Sequence, residues 1–334
     1  MQTNHDASLT SAEISQLWGS YQNDTLAVCV LRYFLEHVED NDIRTVLKYA
    51  LEISQSHVKT LTSIFSDENF PIPVGFTEND VNVNAPRLYS DAFVLFYLQQ
   101  IGKLGLNAHS VSTALSARPD LHQYFMECLN EYGNLHGMAN DILLAKGLYV
   151  RPPYMPYPDK VDFVTKQRFL SGWFGKRRPL VSLEISNLHD NIQRNSLGTA
   201  MVMGFSQVAT SKNVSQYMVR GKEIAAKHTE IFGSILREGD IPVPVSWDSE
   251  VTTSTTAPFS DKLMMFHTTA LIAIGMGYYG TSMATTMRRD IQVHYSRLTM
   301  ELGKYAEDGA NIMIENGWME NPPQAPDRNE LAKK

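Results

Sequence analysis

The sequence predicts an all-α protein made of two antiparallel four-helix bundles in tandem, each with a long crossover between its second and third helices. Three observations carry this. Apolar residues recur at three- and four-residue spacing through long segments, as in helices with one face turned to a core. A helix-free stretch from Phe70-Pro-Ile-Pro-Val-Gly-Phe76 to Ala85-Pro86 and Ser90-Asp91 returns as Ile241-Pro-Val-Pro-Val-Ser-Trp247, running on to Ala257-Pro258 and Ser260-Asp261. The helical patterns on either side of that stretch also repeat in register.

The first helix is expected over residues 10–38, with Ile14, Leu17, Tyr21, Val28, Leu31 and Leu35 on one stripe. Thr10 and Glu13 give a capping-box pattern at its start, because a Glu three residues on can reach back to the cap N–H. Asp40-Asn41-Asp42 opens a second helix to about Ser66, with Val46, Ile53, His57 and Leu61 on its apolar face. Prolines then keep the next twenty or so residues from becoming helix. A connection that long is uncommon in a compact domain, and here it has the length of a bundle to cross. A third helix runs from Asp91 to about Arg118, and Pro119 opens a fourth that stops at Gly147. Two pairs of helices joined by one long crossover make a ferritin-like bundle.

Residues 151–179 read as a linker rich in proline and aromatic residues, expected to pack on both halves through Phe163, Phe169, Trp173 and Phe174. Its Lys176-Arg177-Arg178 cluster reads as a solvated basic face. The pattern restarts at Leu180. Glu184-Ile-Ser answers to Glu13-Ile-Ser, Glu223-Ile224 to Glu52-Ile53 and His228 to His57, all 171 residues apart. Asp290, Glu301 and Gly317 answer to Asp120, Glu131 and Gly147, 170 apart. Register held over so long a stretch indicates an internal duplication. The expected organisation is a first bundle over 1–150, the linker over 151–179, a second bundle over 180–320 and a polar tail over 321–334.

Composition is that of an ordinary soluble protein: 334 residues, 43% hydrophobic, formal charge −7. No basic face suggests nucleic acid. Cys29 and Cys128 lie in apolar helical patterns without metal spacing, which predicts two buried, reduced thiols and a cytoplasmic setting. The N-terminus has no signal-peptide pattern. Leu263–Met287 lacks Asp, Glu, Lys and Arg and is long enough to span a bilayer. Its His267, glycines, tyrosines and threonines favour a bundle helix covered on most sides, with peripheral membrane association as the alternative. Gly275, Gly277 and Gly280 are expected to let a neighbouring helix approach, as are Gly102 and Gly105.

A ferritin-like bundle raises the di-iron question. The usual site needs a Glu-x-x-His pair on each of two helices, and this chain has none. The third helices also lack interior carboxylates. His57 and Glu131 nevertheless fall at one level of the first bundle, and His228 and Glu301 at the matching level of the second. Gln22, Asn107 or His109, and Gln193, Tyr278 or Tyr279 are placed nearby. The favoured reading is a buried His–Glu hydrogen bond in each half, since an unpaired polar group there is costly. The alternative is one metal ion per bundle, held by His57 and Glu131 and by His228 and Glu301. No other cofactor and no catalytic residue is expected.

Pro71-Ile-Pro73 with Gly75-Phe76, Ala85-Pro86-Arg87-Leu88, Lys146-Gly147 with Arg151-Pro-Pro153, Gly204-Phe-Ser-Gln-Val208, Pro258-Phe-Ser-Asp-Lys-Leu-Met-Met-Phe-His267 and Glu307-Asp-Gly-Ala-Asn311 resemble the DUF3231 family. The resemblance covers about residues 9–330. It implies a duplicated ferritin-like protein of spore-forming, Bacillus-type bacteria, distantly similar to spore coat proteins of the F type. It brings no catalytic residues with it. The expected function is therefore a non-enzymatic structural or interaction protein, in the cytoplasm or the spore, with spore-coat proteins or a second copy as partners.

Overall fold

The computed structural model describes residues 7–173, 177–244 and 248–333. Phe174, Lys176 and Trp247, which carry parts of the linker and crossover expectations, lie outside the described residues. Nine helices and no strand are present among the described residues. The first half holds α1 (Ser11–His37), α2 (Asn41–Asp67), α3 (Asp91–Leu115) and α4 (Pro119–Ala145). The second holds α5 (Ser182–Val208), α6 (Lys212–Arg237), α7 (Asp261–Thr285) and α8 (Arg289–Glu315), followed by a short α9 (Arg328–Ala332).

The helix ends follow local chemistry. Thr10 and Glu13 close the capping box on α1. The Asp40 carboxylate accepts from the first N–H groups of α2, and Pro119 sits at the start of α4 where no N–H is needed. Gly147 and Gly317 take positive φ values of 68° and 66° just past α4 and α8, a conformation that suits glycine.

The first crossover runs alongside α1. Phe70 stacks on Phe65 near the start of α1, and the Phe76 N–H donates to Thr25. Further along, Cys29 donates to the Thr77 carbonyl and Tyr33 to that of Pro86. Asp91 then accepts from the Glu39 and Asp40 N–H groups at the far end of α1. The crossover thus spans the bundle and returns the chain to the level where α2 began, so α2 and α3 run parallel.

The two crossovers also pair with each other, a feature absent from the sequence reading. Antiparallel bridges join Val81 to Phe259 and Tyr89 to Val251. The Ser90 N–H donates to Glu250 and the Ser260 N–H to Asp80, each at 3.0 Å. These contacts exchange under the same shift of 170 residues, so the halves face each other about a pseudo-two-fold axis. Tyr97 and His267, themselves 170 apart, meet near it at 3.5 Å. Gly204 stands where a Cβ would come within 2.5 Å of the Tyr89 hydroxyl, and that hydroxyl donates to the Met201 carbonyl. In the equivalent contact, Tyr33 packs edge-on against Phe259. One hydrophobic core runs through both halves.

Three expectations need correction. The linker does not pack along its length, because Tyr154, Tyr157, Val161 and Phe163 are more than 80% exposed. Within the basic cluster Arg178 is not part of a solvated face: it donates two hydrogen bonds to Glu184, whose side chain is fully buried, while its guanidinium lies over Phe169. Arg177 is exposed, as expected, and pairs at the surface with Glu238. Finally, Gly277 and Gly280 have no neighbour within 4 Å of where a Cβ would stand, so they serve no close approach. Gly102 and Gly105 do, since a Cβ there would meet His136 backbone at 2.9 Å and the Tyr132 ring at 2.2 Å. No helix among the described residues is long and apolar enough to cross a membrane.

Candidate functional site

Each half has a polar layer at mid-height, and the two layers differ in chemistry. In the first half, His57 on the core face of α2 lies between two carboxylates. Its Nε2 is 2.7 Å from Glu131 on α4 and its Nδ1 is 3.4 Å from Asp24 on α1. Tyr132 donates to the same Asp24 oxygen at 3.4 Å. Asp24 and His57 are almost fully buried, whereas Glu131 is about one-third exposed at the rim. Burial works against a charged imidazole, but hydrogen bonds to Asp24, Cys128 and Glu131 outweigh it and hold the His57 pKa up at about 12. Burial raises Asp24, with the His57 contact opposing it. The layer is thus an imidazolium donating from both ring nitrogens.

His109 on α3 stacks against Tyr132 with centroids 5.0 Å apart. Burial and the His57 charge press its pKa down to about 4, so its ring is neutral. Cys128 is buried, with its thiol raised by desolvation. Ligand atoms of His57, Cys128 and Glu131 all lie within 4.8 Å of one another. Cys128 and Glu131 share a face of α4 because they are three residues apart.

In the second half, His228 Nε2 is 3.2 Å from Glu301 and Nδ1 is 3.0 Å from the Tyr279 hydroxyl. Asn195 stands where the first half has Asp24 and donates to that hydroxyl at 2.8 Å. Leu298 replaces Cys128. Without a buried carboxylate, burial dominates and the His228 pKa is lowered, Glu301 only partly countering it. Glu301 is held by Lys227 as well as His228 and stays below the usual carboxylate range despite burial.

The structure therefore brings His57 to Glu131 and His228 to Glu301. It leaves the glutamines out: Gln22 Nε2 has no partner, and Gln193 donates to the Val150 carbonyl. Asn107 bonds Tyr278 across the halves instead of joining the layer. Asp24 was missed, although its 171-residue match to Asn195 was a readable signal. The glutamine two residues earlier offered a better match, being identical in both halves.

The model of a protein family described as "Protein of unknown function (DUF3231)" matches residues 1–161 and 168–331. The chain belongs to this family. Comparison with curated proteins gives no match. Among solved structures, a Bacillus halodurans chain provisionally described as a spore coat protein aligns at 14% identity and a TM-score of 0.42. The alignment covers 45% of this chain and 98% of that one.

Proposed function

We propose that this DUF3231 protein is a non-enzymatic interaction protein of spore-forming bacteria, in which the linker makes the contact. The observation that carries this is the exposed, extended segment Arg151–Val164. It joins a Pro-Pro-Tyr-Met-Pro-Tyr-Pro run to Val161, Phe163 and Val164 and leaves their side chains in solvent. Proline-rich extended segments lose little entropy on docking, and tyrosines supply large contact areas at low ordering cost. The polar layers fit the same reading, since both nitrogens of His57 and His228 are already engaged by the protein's own groups.

The test is a fluorescent fusion expressed in a sporulating host, beside a Tyr154→Ser/Tyr157→Ser/Phe163→Ser variant. Wild type is expected to concentrate on the forming spore and the variant to spread through the cell with its melting temperature unchanged. Uniform distribution of the wild type would remove the spore assignment. Identical localisation of the variant would remove the linker's role.

A second reading is favoured by the His57–Cys128–Glu131 cluster: a single metal ion in the first half alone. Imidazole, thiolate and carboxylate suit zinc or iron, and Asp24 on the other ring nitrogen would fix the tautomer as metal-bound histidines require. The second half, with Leu298 and Asn195, has neither the thiol nor that carboxylate. On this reading, untagged protein grown with zinc and iron carries one ion per chain by elemental analysis. Cys128→Ser and His57→Ala lose it, and His228→Ala keeps it. Metal-free wild type after that treatment rules the reading out.

A further inference from the structure

Equivalent outer faces of the two halves differ in character. On α8, Val293, Arg297, Met300 and Lys304 recur three or four residues apart and form one exposed stripe. The matching stripe of α4, 170 residues earlier, is Gln123, Glu127, Asn130 and Asn134, all exposed as well. Beside them, α6 carries Lys227 and Ile231 where α2 has Ser56 and Thr60, 171 residues earlier. The fold therefore accepts a wholly polar surface at these positions. In the second half it shows cations around a methionine that is 68% exposed, and apolar surface rimmed by charge marks a contact site.

Lys227, Ile231, Arg297, Met300, Glu301 and Lys304 line a shallow depression of about 490 Å³ on this face. Glu301, about one-third exposed there, is held by Lys227 and His228. Arg297 and Lys304 have neither an ion pair nor a side-chain hydrogen bond among the described residues. Along α8 the charges thus run plus, minus, plus from Arg297 through Glu301 to Lys304, with Met300 at the centre.

The exposed linker carries the opposite pattern. Asp159, Lys160 and Asp162 run minus, plus, minus, and Val161, 85% exposed, lies between them. Among the described residues, Asp162 accepts from the adjacent Phe163 N–H and Asp159 has no partner. The spacings agree too. Seven residues of helix set Arg297 and Lys304 roughly 10 Å apart along the axis. Three residues of extended chain set Asp159 and Asp162 roughly 10 Å apart as well. With these ends matched, Lys160 falls near Glu301 and Val161 near Met300.

A chain's own face lies across the bundle from its linker. The linker is anchored on α5, by Gln193 at the Val150 carbonyl and by Glu184 through Arg178 and Phe169. In the second half α5 packs on α6 and α7, and α8 on α7 and α6, so α5 and α8 stand at opposite corners.

We propose that the linker of one copy docks on the α6–α8 face of a second copy. Asp159 and Asp162 meet Arg297 and Lys304, and Val161 covers Met300. This rests on the reading that the linker makes the protein's contacts, and it names the surface that the linker meets. The two contacting surfaces are different, so copies join head to tail, each giving one contact and receiving one. A contact this small and this charged is weak and sensitive to salt.

Sedimentation of the full chain should show a mass that rises between about 1 and 100 μM in low salt. The rise should fade near 1 M salt, where charges are screened beyond about 3 Å. Asp159→Lys/Asp162→Lys and Arg297→Glu/Lys304→Glu should each weaken association by about tenfold or more. Their melting temperatures should stay near wild type, because all four sites are exposed. A chain carrying all four reversals should associate again, since each charge once more meets its opposite. A wild type that stays monomeric throughout overturns the inference, and protection of its Lys160 from trypsin would then place the contact within one chain. So does association that survives either reversal, or a fourfold variant that stays monomeric. Association lost on reversing the linker but kept on reversing the face leaves the linker reading standing and assigns it another surface. Localisation of the Tyr154→Ser/Tyr157→Ser/Phe163→Ser variant judges that reading separately.

Discussion

His57→Leu is expected to destabilise the protein by about 3–5 kcal/mol, and His228→Leu by about 1–3 kcal/mol. The two histidines occupy equivalent places in α2 and α6, so helix propensity and lost packing nearly cancel in the comparison. What differs is what each leaves behind. Without His57, Asp24 keeps a carboxyl group that is 4% exposed and whose pKa burial raises with little opposition, with only the 3.4 Å Tyr132 hydroxyl to answer it. Without His228, the neutral Tyr279 hydroxyl retains Asn195 and the rim carboxylate of Glu301 retains Lys227. Breaking a buried ion pair from one side is costlier than removing one neutral hydrogen bond. Urea denaturation followed by circular dichroism at pH 7 measures both. Adding Asp24→Asn to His57→Leu should recover part of the loss, because it removes the stranded acid and the cost of burying it either charged or freshly protonated. Equal losses for the two single variants, or no recovery, would mean that the first layer does not hold an ion pair.

The same comparison shows how much the sequence could reveal. Helices, caps and crossovers were legible because each depends on residues close together in the chain: Thr10 with Glu13, Asp40 with the N–H groups after it, Pro119 at a helix start. The levels of His57 and Glu131 were legible because helical rise is fixed, so counting residues from a common bundle end places them. Identity between the halves, however, misdirected attention to Gln22 and Gln193. The working partner is the position that differs, Asp24 against Asn195, and that difference decides whether the histidine carries charge. The pairing of Val81 with Phe259 and Tyr89 with Val251 was not legible, because it joins residues some 160 to 180 apart with no periodic pattern between them. Glycine was read too uniformly. Gly105 and Gly204 admit a neighbouring tyrosine, whereas Gly19, Gly198 and Gly277 stand beside open space, and one letter serves both uses.

Stability should also fall by several kcal/mol between pH 6.5 and pH 4.5, before most carboxylates begin to protonate. His109 and His267, about 95% buried, have pKa values lowered by burial to about 4, against an ordinary value of 6.5. Between those values the unfolded chain binds protons that the folded chain excludes, so stability drops as pH falls, by up to about 1.4 kcal/mol per pH unit for each ring. His228 adds in the same direction. His57 has the opposite sign. Its folded pKa of about 12 means that its contribution is complete below pH 6.5 and declines as pH rises above that. Glu184 and Asp290, both lowered despite burial through hydrogen bonds to Arg178 and Arg288, lose their contribution only below the usual carboxylate range. The opposed histidines therefore place maximum stability near neutral pH. Urea midpoints from pH 4.5 to pH 9 should trace that maximum. His109→Phe keeps an aromatic ring against Tyr132 and should flatten the acid limb, while His57→Leu should flatten the alkaline one. An acid limb unchanged in His109→Phe would show that His109 takes up its proton in the folded state, and the neutral ring against Tyr132 would then be wrong.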